Sequence, residues 1–315
     1  MMINAARAVA AAAAFSFPGT ISGYIAGGWS NVPPGTDEIN NIEKFSFTSD
    51  GNATDVGDLT FDRKAMAGQS SADNGYSSGG QGSSPAFNTI EKFSFASDGN
   101  ATDVGDLSVA RRQAAGQSSA DNGYTSGGSG SEPAFNTIDK FPFAADGNAT
   151  DVGDLTVARY NLAGQSSPVS GYTTGGYGGP GVQNVIDKFP FASDGNATDV
   201  GDMDVGSFGH AGQSSTEFGY NSAGLNPSFA AINRIEKFPF ASDANATDVG
   251  DLSAQVTNVT GVSSTESGYR VGGGTPVAVQ GEIIEKFPFA TDGNATDVGD
   301  LIQVRYETGS VGQQV

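Results

Sequence analysis

Few side chains in this sequence are equipped for catalysis. There is no cysteine and only one histidine, His210. That excludes disulfides, thiol nucleophiles and Cys-ligated metals. A lone imidazole also cannot assemble a copper centre. Ser214 and Ser215 follow His210, but the same Gln-Ser-Ser occurs at 69–71, 117–119 and 165–167, where no histidine precedes it. A serine repeated in this way reads as structural. No Ser-His-Asp triad and no enzyme are expected, and His210 reads as a loop or packing residue. Carboxylates are denser. Residues 50–58 read Asp-Gly-Asn-Ala-Thr-Asp-Val-Gly-Asp, which places three aspartates and an asparagine in nine residues. Hard cations favour such oxygens, but the spacing of an EF-hand loop and its terminal glutamate are missing. The first aspartate suits a turn and the second an amide cap. Turn chemistry is therefore preferred to calcium, and no cofactor is expected. The Asn-Ala-Thr acceptor pattern at Asn52, Asn100, Asn148, Asn196, Asn245 and Asn294 follows from copying one unit, so glycosylation is not expected.

These residues lie inside a tandem repeat. Versions of 138–155 begin at Ile42, Ile90, Ile138, Ile186, Ile235 and Ile284, spaced by 48, 48, 48, 49 and 49 residues. A fixed period of this length marks an array or a propeller. Each repeat yields four short strand candidates, here lettered a to d. In the third they lie around 115–119, 124–127, 137–143 and 150–155, with glycines at fixed places between them. No helix period occurs after residue 15, so the chain reads as all-β.

Strand c carries Phe-x-Phe in every repeat, using twelve of the twenty phenylalanines, with Ile138 and Lys140 alternating to the other face. Both faces thus carry apolar bulk, as a sheet sandwiched between two neighbours requires. Proline between the two phenylalanines from the third repeat onward demands an unpaired or bulged edge there. Asp-Gly between strands c and d suits a type I′ hairpin. Asp243-Ala244 in the fifth repeat predicts a changed turn. The Glu/Asp-Lys pair of strand c points to opposite faces, which predicts a belt of ion pairs from each acid to the next blade's lysine.

The ends set the topology. The N-terminal segment supplies a strand b at Gly23-Tyr24 without a strand a, and the C-terminal segment supplies a strand a after Leu301 without a strand b. Joining them closes six blades into a ring and removes the exposed sheet edge. Residues 1–15 form a separate alanine-rich arm, and residues 16–315 form one domain. The arm is a poor secretory signal and reads as a docking element. The net charge of −20 repels nucleic acid and anionic membranes, and no membrane insertion is expected.

The pattern resembles a kelch-type β-propeller. The residues that carry the resemblance are Arg111 before strand a, Tyr124-x-x-Gly127-Gly128 ending strand b, and Ile138-Asp-Lys-Phe in strand c. Arginine gives way to Ser207 and Val256 in later repeats, and the kelch tryptophan of strand d is absent. The wording Lys-Phe-Pro-Phe-Ala-Ser-Asp-Gly-Asn-Ala-Thr-Asp-Val-Gly-Asp-Leu also resembles tandem repeats in structural proteins of marine bacteriophages. That resemblance implies a virion component such as a fibre, tail-associated or capsid-decorating protein.

Function is expected where the repeats differ. The c–d segments are nearly constant, whereas the b–c and d–a segments diverge, and propeller connectivity brings those two sets to one face. Diverging loops on a constant scaffold suit recognition. The candidate binding residues are Trp29, Arg63, Lys64, Arg111, Arg112, Arg159, Tyr160, Tyr177, Phe208 and His210. The expected partners are other virion proteins, through the arm, and a host surface protein or glycan. A secreted bacterial glycan-binding propeller, located outside the cell, is the alternative.

Overall fold

The computed structural model describes residues 21–30, 37–83, 85–130, 133–274 and 281–307. Among them every regular element is a strand, and six antiparallel sheets form the blades of a β-propeller. Blade 3 gives the plan: strand a is Ala115–Ser118, b is Asn122–Ser126, c is Thr137–Pro142 and d is Thr150–Asp154. Blades 2, 4, 5 and 6 repeat it over 67–106, 163–202, 211–256 and 260–300. Blade 1 contributes Ser22–Ser30, Asp37–Ser46 and Thr54–Asp58 as strands b, c and d. The C-terminal strand expected to complete it, like the arm at 1–15, lies outside the described residues. The seam is closed all the same, because Trp29 and Tyr306 exchange backbone hydrogen bonds of 2.9 and 3.0 Å.

Each pair of neighbouring blades encloses its own core. Tyr76, Ile90 and Leu107 of blade 2 pack with Phe141 and Ala149 of blade 3. Tyr76 sits 5.6 Å from the Phe141 ring and 4.8 Å from the Phe143 ring, so both phenylalanines of one blade clasp the tyrosine of the blade before. The expected sandwiching of strand c is thus realised. Full burial is worth about 1.5–3 kcal/mol per large apolar side chain, and no single repeat could bury these rings alone. Pro142 ends strand c beyond the last residue paired to strand d, so its missing N–H breaks no ladder bond.

Close to the axis, glycine is obligatory for proximity. A Cβ on Gly116, Gly164, Gly212 or Gly261 would overlap the carbonyl of the preceding blade's glycine. The repeated serines bridge the same gap, with Ser70 N–H donating to Ser118 Oγ at 2.9 Å and Ser118 N–H to Ser166 Oγ at 3.0 Å. A second ring closes the turn. The N–H of Gln113 donates to Ala65 C=O, Asn161 to Gln113, Gly209 to Asn161, Asn258 to Gly209, Glu307 to Asn258 and Ala65 to Glu307. All six residues have positive φ, between 51° and 63°. For the non-glycines this conformation is costly, and a circle of backbone hydrogen bonds offsets the cost.

The c–d segment is not a type I′ hairpin. Strands c and d of blade 3 end their pairing at Lys140 and Thr150, and the segment between them lies on blade 2. Ala149 N–H donates to Asp106 C=O at 2.8 Å, and Asp106 N–H donates to Asn148 Oδ1 at 3.1 Å. The constant sequence is an inter-blade strap. Ala244 leaves it unchanged, since Ala246 N–H reaches Asp202 C=O at 2.8 Å and Asn245 Oδ1 accepts from Asp202 N–H at 3.0 Å.

The lysine belt exists, but with a different acid. Lys44 pairs with Asp98 at 3.1 Å, Lys92 with Asp146 at 2.5 Å, Lys140 with Asp194, and so round to Lys286 with Asp50 at 2.6 Å. The acid is the strap aspartate of the next blade, because the strand c acid faces inward. Half-exposed pairs of this kind contribute about 0.2–1 kcal/mol. Lys140→Met is therefore expected to lower unfolding stability by no more than about 1 kcal/mol in urea melts. A much larger loss would make the belt a principal stabiliser.

Candidate binding face

Backbone bridges build one loop face. In each blade a d–a residue exchanges hydrogen bonds with a b–c residue: Lys64 with Gln81, Arg112 with Ser129, Tyr160 with Tyr177, Phe208 with Leu225, Thr257 with Gly274 and Tyr306 with Trp29. The twelve residues share one backbone geometry and differ in chemistry. Lys64 lies over the Trp29 ring at 5.2 Å and pairs with Glu307 at 3.1 Å, while Trp29 and Tyr306 meet edge to face at 4.6 Å. Arg112 Nη1 donates to Gln81 Oε1 at 2.5 Å.

Across the ring, aromatic residues collect at blades 4 and 5. Tyr177 lies 5.7 Å from Tyr160, 5.6 Å from Phe208 and 6.3 Å from Phe229, and the two phenylalanines are 5.7 Å apart. Phe229 is 59% exposed and has a φ of 58°, a conformation disfavoured for a bulky side chain. A turn holds it there. Asn226 Oδ1 accepts from Ser228 N–H at 2.9 Å and from Ala230 N–H at 3.1 Å, and Phe229 N–H donates to Asn226 C=O at 2.8 Å. Blade 4 adds a small hairpin, Tyr177–Gly178 with Gly181–Val182, that no other blade has among the described residues. The axial cavity is only about 70 Å³, room for a few waters. The face itself is the larger surface.

Of the ten candidate residues, Trp29, Lys64, Arg112, Tyr160, Tyr177 and Phe208 stand partly exposed on this face. Arg63, Arg111, Arg159 and His210 do not, and as surface contacts they are corrected. Each arginine is fully buried and paired with the strand c acid of the blade that follows it. Arg111 meets Asp139 at 2.8 Å, Arg159 meets Asp187 at 2.9 Å, and Arg63 meets Glu91. Arg305 closes the seam on Glu43 in the same way, and in blade 6 Arg270 of strand b holds Glu285 instead. The acid also accepts backbone N–H at the start of the d–a segment, as Asp139 does from Ser108 at 2.9 Å. Burial lowers the pKa of these guanidinium groups, and where a partner acid lies close it opposes the shift. His210 is buried with Nε2 3.2 Å from Thr174 Oγ1. Burial, with the nearby Arg159 charge, holds its pKa down to about 3, so the ring is neutral.

Two of the three aspartates considered for calcium have partners here: Asp50 pairs with Lys286 at 2.6 Å, and Asp55 Oδ1 accepts from Gly57 N–H at 3.2 Å. Phe61, Phe87, Phe229 and Tyr306 were not singled out by sequence. Phe61 and Phe87 stack at 5.9 Å on the same face. For Phe229 the available signal was Asn226-Pro227-Ser228, a turn signature that fixes the following residue. No family model matches the chain, and no match is found among curated proteins.

Proposed function

We propose that this chain is a non-enzymatic structural or host-recognition component of a virion, acting as a protein- or glycan-binding propeller through the loop face. One observation supports the binding reading above the rest. The constant side chains of the repeat serve blade-to-blade contacts, whereas the variable ones gather at the bridged positions of one face. Concentrated variation on a rigid frame is what recognition uses. The virion assignment rests on the repeat's resemblance to marine bacteriophage structural proteins, with the arm at 1–15 as the attachment. The net charge of −20 opposes nucleic acid as a partner.

The test follows labelled chain during particle assembly and host adsorption. Full-length protein is expected on purified particles, and deletion of 1–15 is expected to abolish incorporation. A loop-face variant, Trp29→Ala with Lys64→Ala, is expected to incorporate normally and to reduce adsorption at least several-fold. Export of the chain free of particles, with the arm cleaved, would instead establish the secreted glycan-binding module.

A further inference from the structure

Among the aromatic rings of the loop face, those at blades 4 and 5 form the largest contact group, four rings against the pairs Phe61–Phe87 and Trp29–Tyr306. The Trp29 ring already carries Lys64, and Phe135 carries Arg111 at 5.7 Å. Among the described residues no cation lies over Tyr177, Phe208 or Phe229. Phe229 is displayed by a strained residue under an asparagine-capped turn, so its exposure is enforced by the backbone. Strain of this kind persists where surrounding structure over-determines it, and it clusters at ligand sites. Neighbouring rings are tilted by 49° to 73°, so the four form one contiguous aromatic patch and not a single stack.

We propose that Tyr177, Phe208 and Phe229 form the stacking platform of a neutral saccharide site, with Tyr160 at its edge. The proposal rests on the loop-face reading and deepens it. A pyranose has one face of C–H groups carrying partial positive charge and a rim of hydroxyls. Aromatic faces are negative at their centres and attract that apolar face. An anionic sugar is disfavoured by the net charge of −20. Among the described residues no ammonium or guanidinium lies over Tyr177, Phe208 or Phe229 to pair with one. A rigid platform also loses little rotamer freedom on binding, which favours affinity for a small ligand.

The full chain is applied to an array of neutral, anionic and amino sugars, and hits are measured by titration. Binding to neutral glycans is expected, with at least a tenfold loss in both Tyr177→Ala and Phe229→Ala. Phe229→Gly separates site from scaffold. Glycine relieves the positive φ, so the melting temperature should stay level or rise while binding is lost. Val169→Ser, an exposed apolar residue on the a–b side of blade 4, should bind as the parent does. Absence of any neutral glycan hit, capture of charged sugars or peptides only, or unaltered binding by the Tyr177 and Phe229 variants would each overturn the proposal. The loop-face reading itself falls only if the Trp29 and Lys64 variant also leaves host adsorption unchanged.

Discussion

Asp139→Asn is expected to destabilise the propeller by about 3–5 kcal/mol, and Arg111→Met by clearly less. The asymmetry follows from what each partner can do when left alone. Without the carboxylate, the Arg111 guanidinium keeps its charge in a fully buried site, because arginine does not release its proton in proteins. Its bonds to Gly127 C=O at 3.2 Å and Thr137 C=O at 3.0 Å are neutral acceptors and do not compensate. Without the guanidinium, Asp139 still accepts from Ser108 N–H at 2.9 Å and Ser108 Oγ at 2.6 Å, so its charge keeps two donors. The repeats agree with this ranking. All six keep the acid, whereas Ser207 replaces the arginine that would face Glu236; at Val256 the arginine moves to Arg270. Urea unfolding of both variants and of the double mutant Asp139→Leu with Arg111→Met tests it. The double mutant should recover much of the loss, since apolar replacement of a buried pair is often neutral or better. Equal costs for the two single variants would overturn the argument.

The period of the repeat made the blade count and strand order legible, because the phenylalanines and glycines recur at places that only a closed ring of sheets satisfies. The meeting of d–a and b–c loops followed from connectivity. Legibility failed where a side chain's direction depends on the neighbouring blade. Asp139 and Lys140 sit side by side in sequence, yet one is fully buried against Arg111 and the other reaches the exposed Asp194. The arginines read as surface contacts because they precede variable loops, but the strand c acids draw them inward. Asp-Gly looked like a hairpin because the local rule for turns ignores the adjacent blade's Asp106, which supplies the partner. The circle of positive-φ residues had no sequence signal at all. Ala65, Gln113, Asn161, Gly209, Asn258 and Glu307 share a conformation and almost no chemistry.

Blade 5 is the molecule's own Arg111→Met, and it predicts a pH effect. Ser207 stands in the arginine's place, and among the described residues no buried arginine reaches Glu236. The acid accepts from Asp204 N–H at 3.1 Å and Val205 N–H at 3.0 Å. Arg234 Nε lies 3.5 Å from its Oε1, but this arginine is partly exposed and is also drawn to Asp204 and Asp248. Burial therefore dominates and pushes the Glu236 pKa up to about 7, with the Asp204 charge adding to the rise and the two amides and Arg234 opposing it. The direction of linkage is fixed by that rise. Below the ordinary glutamate value both folded and unfolded chains hold the proton, so the group costs nothing. Between that value and about 7 only the folded state keeps it, so stability falls as pH rises. Above about 7 the full penalty stands, on the order of 3 kcal/mol at 1.36 kcal/mol per unit. Glu236→Gln removes the charge but accepts with one oxygen fewer, so a net gain of about 1–2 kcal/mol is expected at pH 8. At pH 4 the gain should vanish or reverse. Since the other carboxylates also titrate, the informative quantity is the stability difference between parent and variant across pH 4–8. A difference that stays flat would show that Glu236 is already compensated. A difference that opens on raising the pH, and that Ser207→Arg closes, would identify the missing guanidinium as its cause.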